Sequence, residues 1–267
     1  MNVAAALASA RIEPREARLL LAEASGYSEA SILAHPEREL PETAAARFGA
    51  MAARRRAGEP MAYVVGRREF YGLAFEVSPA VLIPRPETEL LVDLALERRP
   101  RTVLDLGTGC GAIALAIKHG LPQARVVAAD RSAAALALAR GNAAAHSLEI
   151  DFRLGEWFAP VARERFELIV ANPPYVAEGD PHLAQGDLRF EPREALVAGP
   201  DGLAAIRKIA RHAAAFLMPG GWLLLEHGMG QDEAVRELLV AGGFDSVSAW
   251  PDLAGIARVC GGRIKSE

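Results

Sequence analysis

Cysteine is nearly absent from this chain: 267 residues contain two, Cys110 and Cys260. Two cysteines make no disulfide framework, so the fold must close on an apolar core, and such usage fits a reducing compartment. Histidine is also scarce. None of the six (His35, His119, His146, His182, His212 and His227) forms a short-spaced pair, and neither cysteine stands near enough in sequence to complete a metal-ligand pattern. Although 51% of the residues are hydrophobic, no uninterrupted apolar stretch is long enough to cross a membrane. The first residues, Met1 to Ala5, lack the basic start of a secretory signal. A cytoplasmic location with no membrane partner is the expectation. Positive charge is not in excess either: a net charge of −4 argues against a general nucleic-acid binder, and no stable nucleic-acid partner is expected.

What the chain does have is the tetrapeptide Asn172-Pro173-Pro174-Tyr175, placed directly after the apolar run Phe166 to Ala171. That run is short and bounded enough to be a buried strand. Two prolines cannot continue a ladder, because they have no N–H to donate. In an open α/β sheet the carboxyl ends of strands are where ligands bind. Asn172 offers an acceptor oxygen and two N–H donors, the prolines set the direction of main-chain carbonyls, and Tyr175 supplies a flat face. Such a group suits a planar NH2. Taken alone, the tetrapeptide is equally a strand-ending turn.

A second motif, Val103-Leu104-Asp105-Leu106-Gly107-Thr108-Gly109-Cys110-Gly111, reads as a strand, a glycine-rich turn and the start of an apolar helix. The Gly-x-Gly-x-Gly spacing differs from a dinucleotide fingerprint, whose third glycine lies three residues beyond the second. An anion-binding loop has little use for Asp105, whereas a ligand bearing an ammonium or sulfonium does. The next strand, Arg125 to Ala129, ends in Asp130. A carboxylate there can take both hydroxyls of a ribose, although a strand-terminal aspartate is often only a helix cap. The ordered combination of Asp105, three glycines, Asp130 and Asn172-Pro173-Pro174-Tyr175 indicates a nucleoside-dependent transferase.

With these residues in view, the chain resembles the release-factor glutamine N5-methyltransferase family of class I S-adenosylmethionine-dependent methyltransferases. Further segments carry the resemblance: Leu82 to Glu89, Gly155 to Phe158, Phe190 to Leu196, Gly199 to Leu203, Leu225 to Gly228 and Asp252 to Gly255. It covers nearly the whole chain and is sparsest in the first seventy or so residues; Cys110 in the turn is a minor departure. The resemblance implies a Rossmann-like α/β sheet, mostly parallel with one antiparallel edge strand, preceded by a small N-terminal helical domain. It implies S-adenosylmethionine as cofactor, held by Asp105, Gly107, Thr108, Gly109, Cys110, Gly111, Asp130, Trp157 and Asn172. The substrate it implies is the glutamine of the Gly-Gly-Gln motif in class 1 peptide chain release factors, bound by Asn172, Pro173, Pro174 and Tyr175. Catalysis would rest on Asn172, Pro173 and Tyr175: the Asn172 side-chain oxygen and the Pro173 carbonyl accept from the amide NH2, and Tyr175 packs on the amide plane. No metal and no stable oligomer are implied; a monomer is expected.

The domain boundaries expected are 1–68 for a helical substrate-docking domain, 69–84 for a β-hairpin linker and 85–267 for the methyltransferase domain. Helices are read at Ala17 to Ala24 and Pro41 to Ala57, the latter ending in Arg54-Arg55-Arg56, either a solvated helix end or a binding site. Glu69 to Val77 alternates around Gly72 as a hairpin does. Beyond Pro86, helices alternate with strands near 102–106, 125–130, 166–171 and 221–226, the signature of βαβ units, with a closing pair near 246–250 and 256–261. Trp157, following the expected third strand, is core or an adenine neighbour. Glu87 and Glu89 start a helix, where carboxylates favour the dipole, and are also candidates for the pocket wall. The stretch Val176 to Gly202 is too long for a plain connection and is expected to be a lid. Two rival readings are open to the tetrapeptide: adenine N6 methylation in DNA, which needs base flipping and a basic groove, and a non-enzymatic module that retains the fold.

Overall fold

Two units emerge from the computed structural model, which describes residues 1–266. The first comprises Met1–Arg67 together with Ala184–Phe190. Its helices are α1 (Val3–Ala10), α2 (Pro14–Ser25), α3 (Glu29–Ala34), α4 (Glu42–Arg56) and α5 (Met61–Val65). Each early start is chemically marked. Asn2 caps α1 through the Ala5 amide, Glu13 caps α2 ahead of Pro14, and Ser28 caps α3. The helices close on Leu20, Leu21, Ile32, Phe48 and Met51. The arginine triplet at the end of α4 is neither a solvated end nor a free binding site. Arg54 pairs with Glu59 and reaches the Tyr63 carbonyl at 2.9 Å, Arg55 grips Glu16 of α2 with two bonds of 2.8 Å, and Arg56 donates to the Ala10 carbonyl at 2.8 Å. The triplet ties helices together.

Strands β1 (Arg67–Phe70) and β2 (Leu73–Glu76) form a two-stranded sheet. Tyr71 and Gly72 between them both have positive φ, 51° and 73°, as a two-residue hairpin turn of right-handed twist demands. The second unit then lays out α6 (Glu89–Glu97), β3 (Thr102–Leu106), α7 (Ala112–Gly120), β4 (Arg125–Asp130), α8 (Ala133–Ala145), β5 (Asp151–Leu154) and β6 (Phe166–Ala171). It ends with α9 (Arg193–Leu196), α10 (Ala204–Ala213), β7 (Leu217–Glu226), α11 (Asp232–Ala241), β8 (Asp245–Pro251) and β9 (Ala257–Arg263). Seven strands pair in the order β5-β4-β3-β6-β7-β9-β8. The pairings from β5 to β7 are parallel, and β9 runs against both of its neighbours. The expected mostly parallel sheet with one antiparallel strand at its edge is therefore borne out, the reversed strand lying one place in from the rim.

The central strands read as nearly continuous apolar runs because helices cover both of their faces. One face packs Leu104, Leu106, Val127, Ile169 and Leu225 against Ile206, Ile209, Val235 and Leu239 of α10 and α11. Strand β7 starts at Leu217, four residues before the apolar pattern indicates, by passing through a register shift opposite Phe166 to Leu168. There Pro219 and Gly220 act as a bulge rather than as a terminator. Strand β5 is short and half exposed, so its sequence carries little apolar signal. Among the described residues no helix is long and apolar enough to cross a membrane.

Candidate active site

Strand order decides where the site lies. From β3 the sheet grows one way through β4 and β5 and the other way through β6 and β7, so the β3–β6 boundary is a topological switch point, where a crevice opens beyond the strand ends. The register pairs Leu106 with Ala171. Gly107 and Asn172, the next residue of each strand, therefore leave the sheet side by side. A cavity of about 410 Å³ opens there, within the range of small-molecule sites. Its wall includes Gly107 to Cys110, Asp130 and Trp157 on one side and Asn172, Pro173 and Pro174 on the other. Asp105, Gly111 and Tyr175 lie behind that wall. Glu87 and Glu89 are not on it; their segment contributes Arg85 and Thr88 instead, while Glu89 accepts from the Tyr71 amide at 2.9 Å. The stretch 176–202 divides: Ala184–Phe190 groups with the N-terminal helices, and Pro192 to Gly199 supplies cavity wall.

The glycines of the turn are there for different reasons. Gly107 has φ of 76°, and a Cβ on it would still clear Trp157 by 3.7 Å, so backbone conformation selects it. Gly111 has φ of 89°, and its Cβ would also meet Leu115 at 2.8 Å and Ala139 at 3.2 Å; it lets α7 pack on α8. Asp105 is fully buried beneath the turn. One oxygen accepts from the Thr108 hydroxyl at 2.6 Å, and the other makes no hydrogen bond of normal geometry, although the Ala114 amide in the first turn of α7 faces the carboxylate. Burial pushes its pKa up to about 7, with the nearby Asp130 charge acting in the same sense. Asp130 takes the Gly109 amide on one oxygen at 2.9 Å and the Ser132 amide on the other at 2.8 Å. Each oxygen keeps a further lone pair. The residues present thus fit a nucleoside-bearing cation: two acceptors for hydroxyls at Asp130, an indole face at Trp157, and an incompletely paired buried carboxylate under the turn.

Sequence reasoning missed three residues that hold the site. Asn142 of α8 is buried and fully used: its amide donates to the carbonyls of Glu76 and Cys110 at 3.1 and 2.9 Å, and its oxygen accepts from the Glu76 amide at 2.7 Å. A lone asparagine inside an alanine-rich helix was the available signal. The others are Thr88 and Glu226. Glu226, at the end of β7, is buried, and burial pushes it up to about 7. The Thr88 and Tyr175 hydroxyls both favour its charged form, the latter donating at 3.3 Å. The Asn172 NH2 donates to the Thr88 hydroxyl at 3.2 Å, which sets the amide's orientation. The Asn172 oxygen and the Pro173 carbonyl accept no hydrogen bond among the described residues, and both residues line the cavity. The Tyr175 carbonyl is held by Gln231 at 3.1 Å, and burial beside Glu226 raises the phenol's pKa well above its usual value, keeping it neutral.

Comparison with known proteins agrees with this layout. The model described as "Methyltransferase small domain" matches residues 86–189, and the one described as "PrmC N-terminal domain" matches residues 2–66. The release factor glutamine methyltransferase of Burkholderia pseudomallei is 50% identical, over 97% of this chain and 94% of its own length. That of Xylella fastidiosa is 51% identical, over 97% of this chain and 96% of its own. Among solved structures, the T. thermophilus 16S rRNA N2 G1207 methyltransferase in complex with AdoMet and guanosine superimposes with a TM-score of 0.56. It is 23% identical and covers 74% of this chain and 50% of its own, a likeness of fold.

Burial of Glu226 makes a pH-dependent stability prediction. Unfolded, this carboxyl titrates near 4.5; folded, near 7. Between these values the folded protein retains a proton that the unfolded chain has lost, so this group's contribution declines as pH rises, and the penalty is complete above the folded value. Glu226→Gln removes the penalty. Its melting temperature relative to wild type should rise between about pH 5 and about pH 8 and then level off. A difference independent of pH in thermal melts would mean that Glu226 is charged throughout.

Proposed function

The chain belongs to the release factor glutamine methyltransferase family, and we propose that it methylates the side-chain amide nitrogen (N5) of the glutamine in the Gly-Gly-Gln motif of class 1 peptide chain release factors, with S-adenosylmethionine as methyl donor. What supports this reading is that Asn172 and Pro173 line the cavity side by side, with the Asn172 NH2 engaged by Thr88 and neither the Asn172 oxygen nor the Pro173 carbonyl accepting a hydrogen bond among the described residues. An amide NH2 has two hydrogens, and these are two acceptors. When bound, S-adenosylmethionine supplies an electrophilic methyl carbon.

A glutamine amide is a poor nucleophile, because its nitrogen lone pair is delocalised into its own carbonyl. Asn172 and Pro173 draw both N–H bonds toward themselves, leaving electron density on nitrogen and fixing the direction of its lone pair. Tyr175, held by Glu226 and Gln231, limits the tilt of the amide plane. Positioning of this kind can lower a barrier by roughly 7–11 kcal/mol. The methylated nitrogen is acidic enough to release its proton to water, so the acceptor end needs no strong base, and neutral Asn172 and Pro173 suffice. On the donor side, Asp130 receives the ribose hydroxyls, the Gly107–Gly111 turn lets the backbone approach the ligand, Trp157 flanks the adenine, and Asp105 stabilises cationic charge from below. The N-terminal residues 1–68 dock the protein substrate, since one glutamine side chain cannot select a partner among the many in a cell; 69–84 link them to a methyltransferase domain over 85–267. The enzyme works in the cytoplasm as a monomer.

Asn172→Ala should leave donor affinity nearly unchanged and lower the single-turnover rate of transfer by a factor of about 100 or more, because the lost contact is made chiefly in the transition state; transfer at the wild-type rate would reject the amide clamp. Asp130→Ala should weaken donor binding by about 1.5–3 kcal/mol for each charge-assisted bond lost, and calorimetry showing equal affinity would remove Asp130 from the ribose role. Hydrogen exchange of the full chain should slow within residues 1–68 when release factor is added. Unaltered exchange there would leave these residues a purely structural role.

A further inference from the structure

The acceptor end of the cavity holds a cation with no part in the amide clamp. Arg85 lines the cavity and pairs with Glu191, whose side chain is fully buried. A guanidinium carries five N–H donors in a planar fork. One of them, on Nη2, goes to Glu191, and no other Arg85 donor makes a hydrogen bond among the described residues. The Arg85 side chain is 27% exposed, which leaves donors for whatever occupies the cavity.

The neighbours of Arg85 place it on the acceptor side. It precedes the 3₁₀ turn Pro86–Thr88. The Thr88 amide donates to the Arg85 carbonyl at 3.1 Å, and the Thr88 hydroxyl accepts from the Asn172 NH2 at 3.2 Å. Its partner Glu191 leads through Pro192 into α9, and that segment pairs with the residue after Tyr175. The Val176 amide donates to the Leu196 carbonyl at 2.8 Å, and the Ala198 amide to the Val176 carbonyl at 3.0 Å. Burial raises the Tyr175 pKa, and the charge of Arg85 is among those that act against the rise. The guanidinium is therefore within electrostatic reach of the tyrosine that ends the tetrapeptide.

The pairing also decides what Arg85 can hold. Glu191 cancels its charge, so the pair adds no net charge to a cavity that has to admit a sulfonium, which a lone guanidinium would repel. A second carboxylate drawn to Arg85 would face the like charge of Glu191. Neutral carbonyl oxygens meet neither objection, and they accept from a charged donor more strongly than from a neutral one. A planar fork anchored at one nitrogen keeps its other N–H groups in fixed directions. That suits acceptors repeated along a peptide main chain.

We propose that Arg85, held by Glu191, donates hydrogen bonds to main-chain carbonyl groups of the acceptor peptide beside its reacting glutamine. This rests on the function proposed above and deepens it. In Gly-Gly-Gln the residues before the glutamine have no Cβ, so their carbonyls can approach the cavity wall closely. The contact reads backbone, where the Asn172–Pro173 clamp reads the side-chain amide. Arg85 is a substrate-binding residue, and Glu191 is a positioning residue that acts through it.

The test uses the full-length protein with intact release factor and isotopically labelled donor, and compares the wild type with two variants. Arg85→Lys keeps a charge opposite Glu191 and loses the fork. Arg85→Met/Glu191→Met removes both partners, so that no buried charge is left unpaired. Each variant should lower kcat/KM for release factor about tenfold or more, with donor affinity by calorimetry equal to that of the wild type. Binding of a release factor carrying Gly-Gly-Ala in place of Gly-Gly-Gln should weaken by a similar factor, since the main-chain contact does not need the glutamine side chain. An unchanged kcat/KM in either variant overturns the proposal. So does weakened donor affinity, which would assign Arg85 to the donor's carboxylate. Undiminished binding of the Gly-Gly-Ala factor overturns it as well, because Arg85 would then act only through the amide pocket. If the wild-type protein itself transfers no methyl to release factor, the proposed function fails and this contact fails with it; if it does and the variants match it, only the Arg85 contact is lost.

Discussion

Parallel pairing of β3 with β6 is the interaction on which the rest of the site depends. It brings together two stretches of chain more than sixty residues apart in sequence, with Leu106 opposite Ala171, at the spacing of neighbouring strands, about 4.8 Å. Because the sheet is extended in opposite directions on the two sides of that pair, the connections leave it to opposite sides and nothing fills the space above the strand ends. Gly107 and Asn172 therefore face one cavity from adjacent strands. Insertion of a single strand between them would part the two walls of the cavity by a further strand spacing.

Around that crevice the protein buries two carboxylates that an apolar core would ordinarily exclude. Asp105 lies under the glycine turn and Glu226 ends the strand next to β6, both at or near zero exposure and both pushed up to about 7 by burial. Replacing buried charge by packed hydrocarbon is often neutral or stabilising, so these groups are not explained by stability. Each instead fixes a hydroxyl: Asp105 holds Thr108 in the turn, and Glu226 holds the Tyr175 phenol. In a medium of low dielectric such bonds are strong and directional. The site trades some stability for hydroxyls of fixed orientation.

The N-terminal helices show where a local sequence signal misleads. Arg54, Arg55 and Arg56 in a row read as a charged helix end, and three adjacent cations suggest water or an anion as their partner. Their actual partners, Glu59, Glu16 and the carbonyls of Tyr63 and Ala10, come from three other segments. On a helix, consecutive residues point about 100° apart, so one run of like charge serves three directions. Only the packed arrangement of α1, α2 and α4 determines which groups lie along each of them.

Much of the framework was legible without coordinates, because it follows from local rules. The central strands are apolar runs of the length that a doubly covered sheet requires, the glycine turn needs positive φ whatever surrounds it, and two prolines end a strand anywhere. Asp105, Asp130 and Asn172 could thus be assigned to strand ends, and the family to which their order corresponds could be recognised. The bounds of strand β5 were not legible because an edge strand is half solvated, nor was the start of β7, because a bulge carries a Pro-Gly pair through the ladder. Tertiary structure alone decided which strand lies beside which, and so which polar groups meet. Thr88, Asn142 and Glu226 carry no local pattern; each is defined by a partner 51 to 84 residues away. A sequence specifies periodicity and backbone preference within a few residues, whereas hydrogen bonds between distant side chains exist only after the sheet has set its strand order.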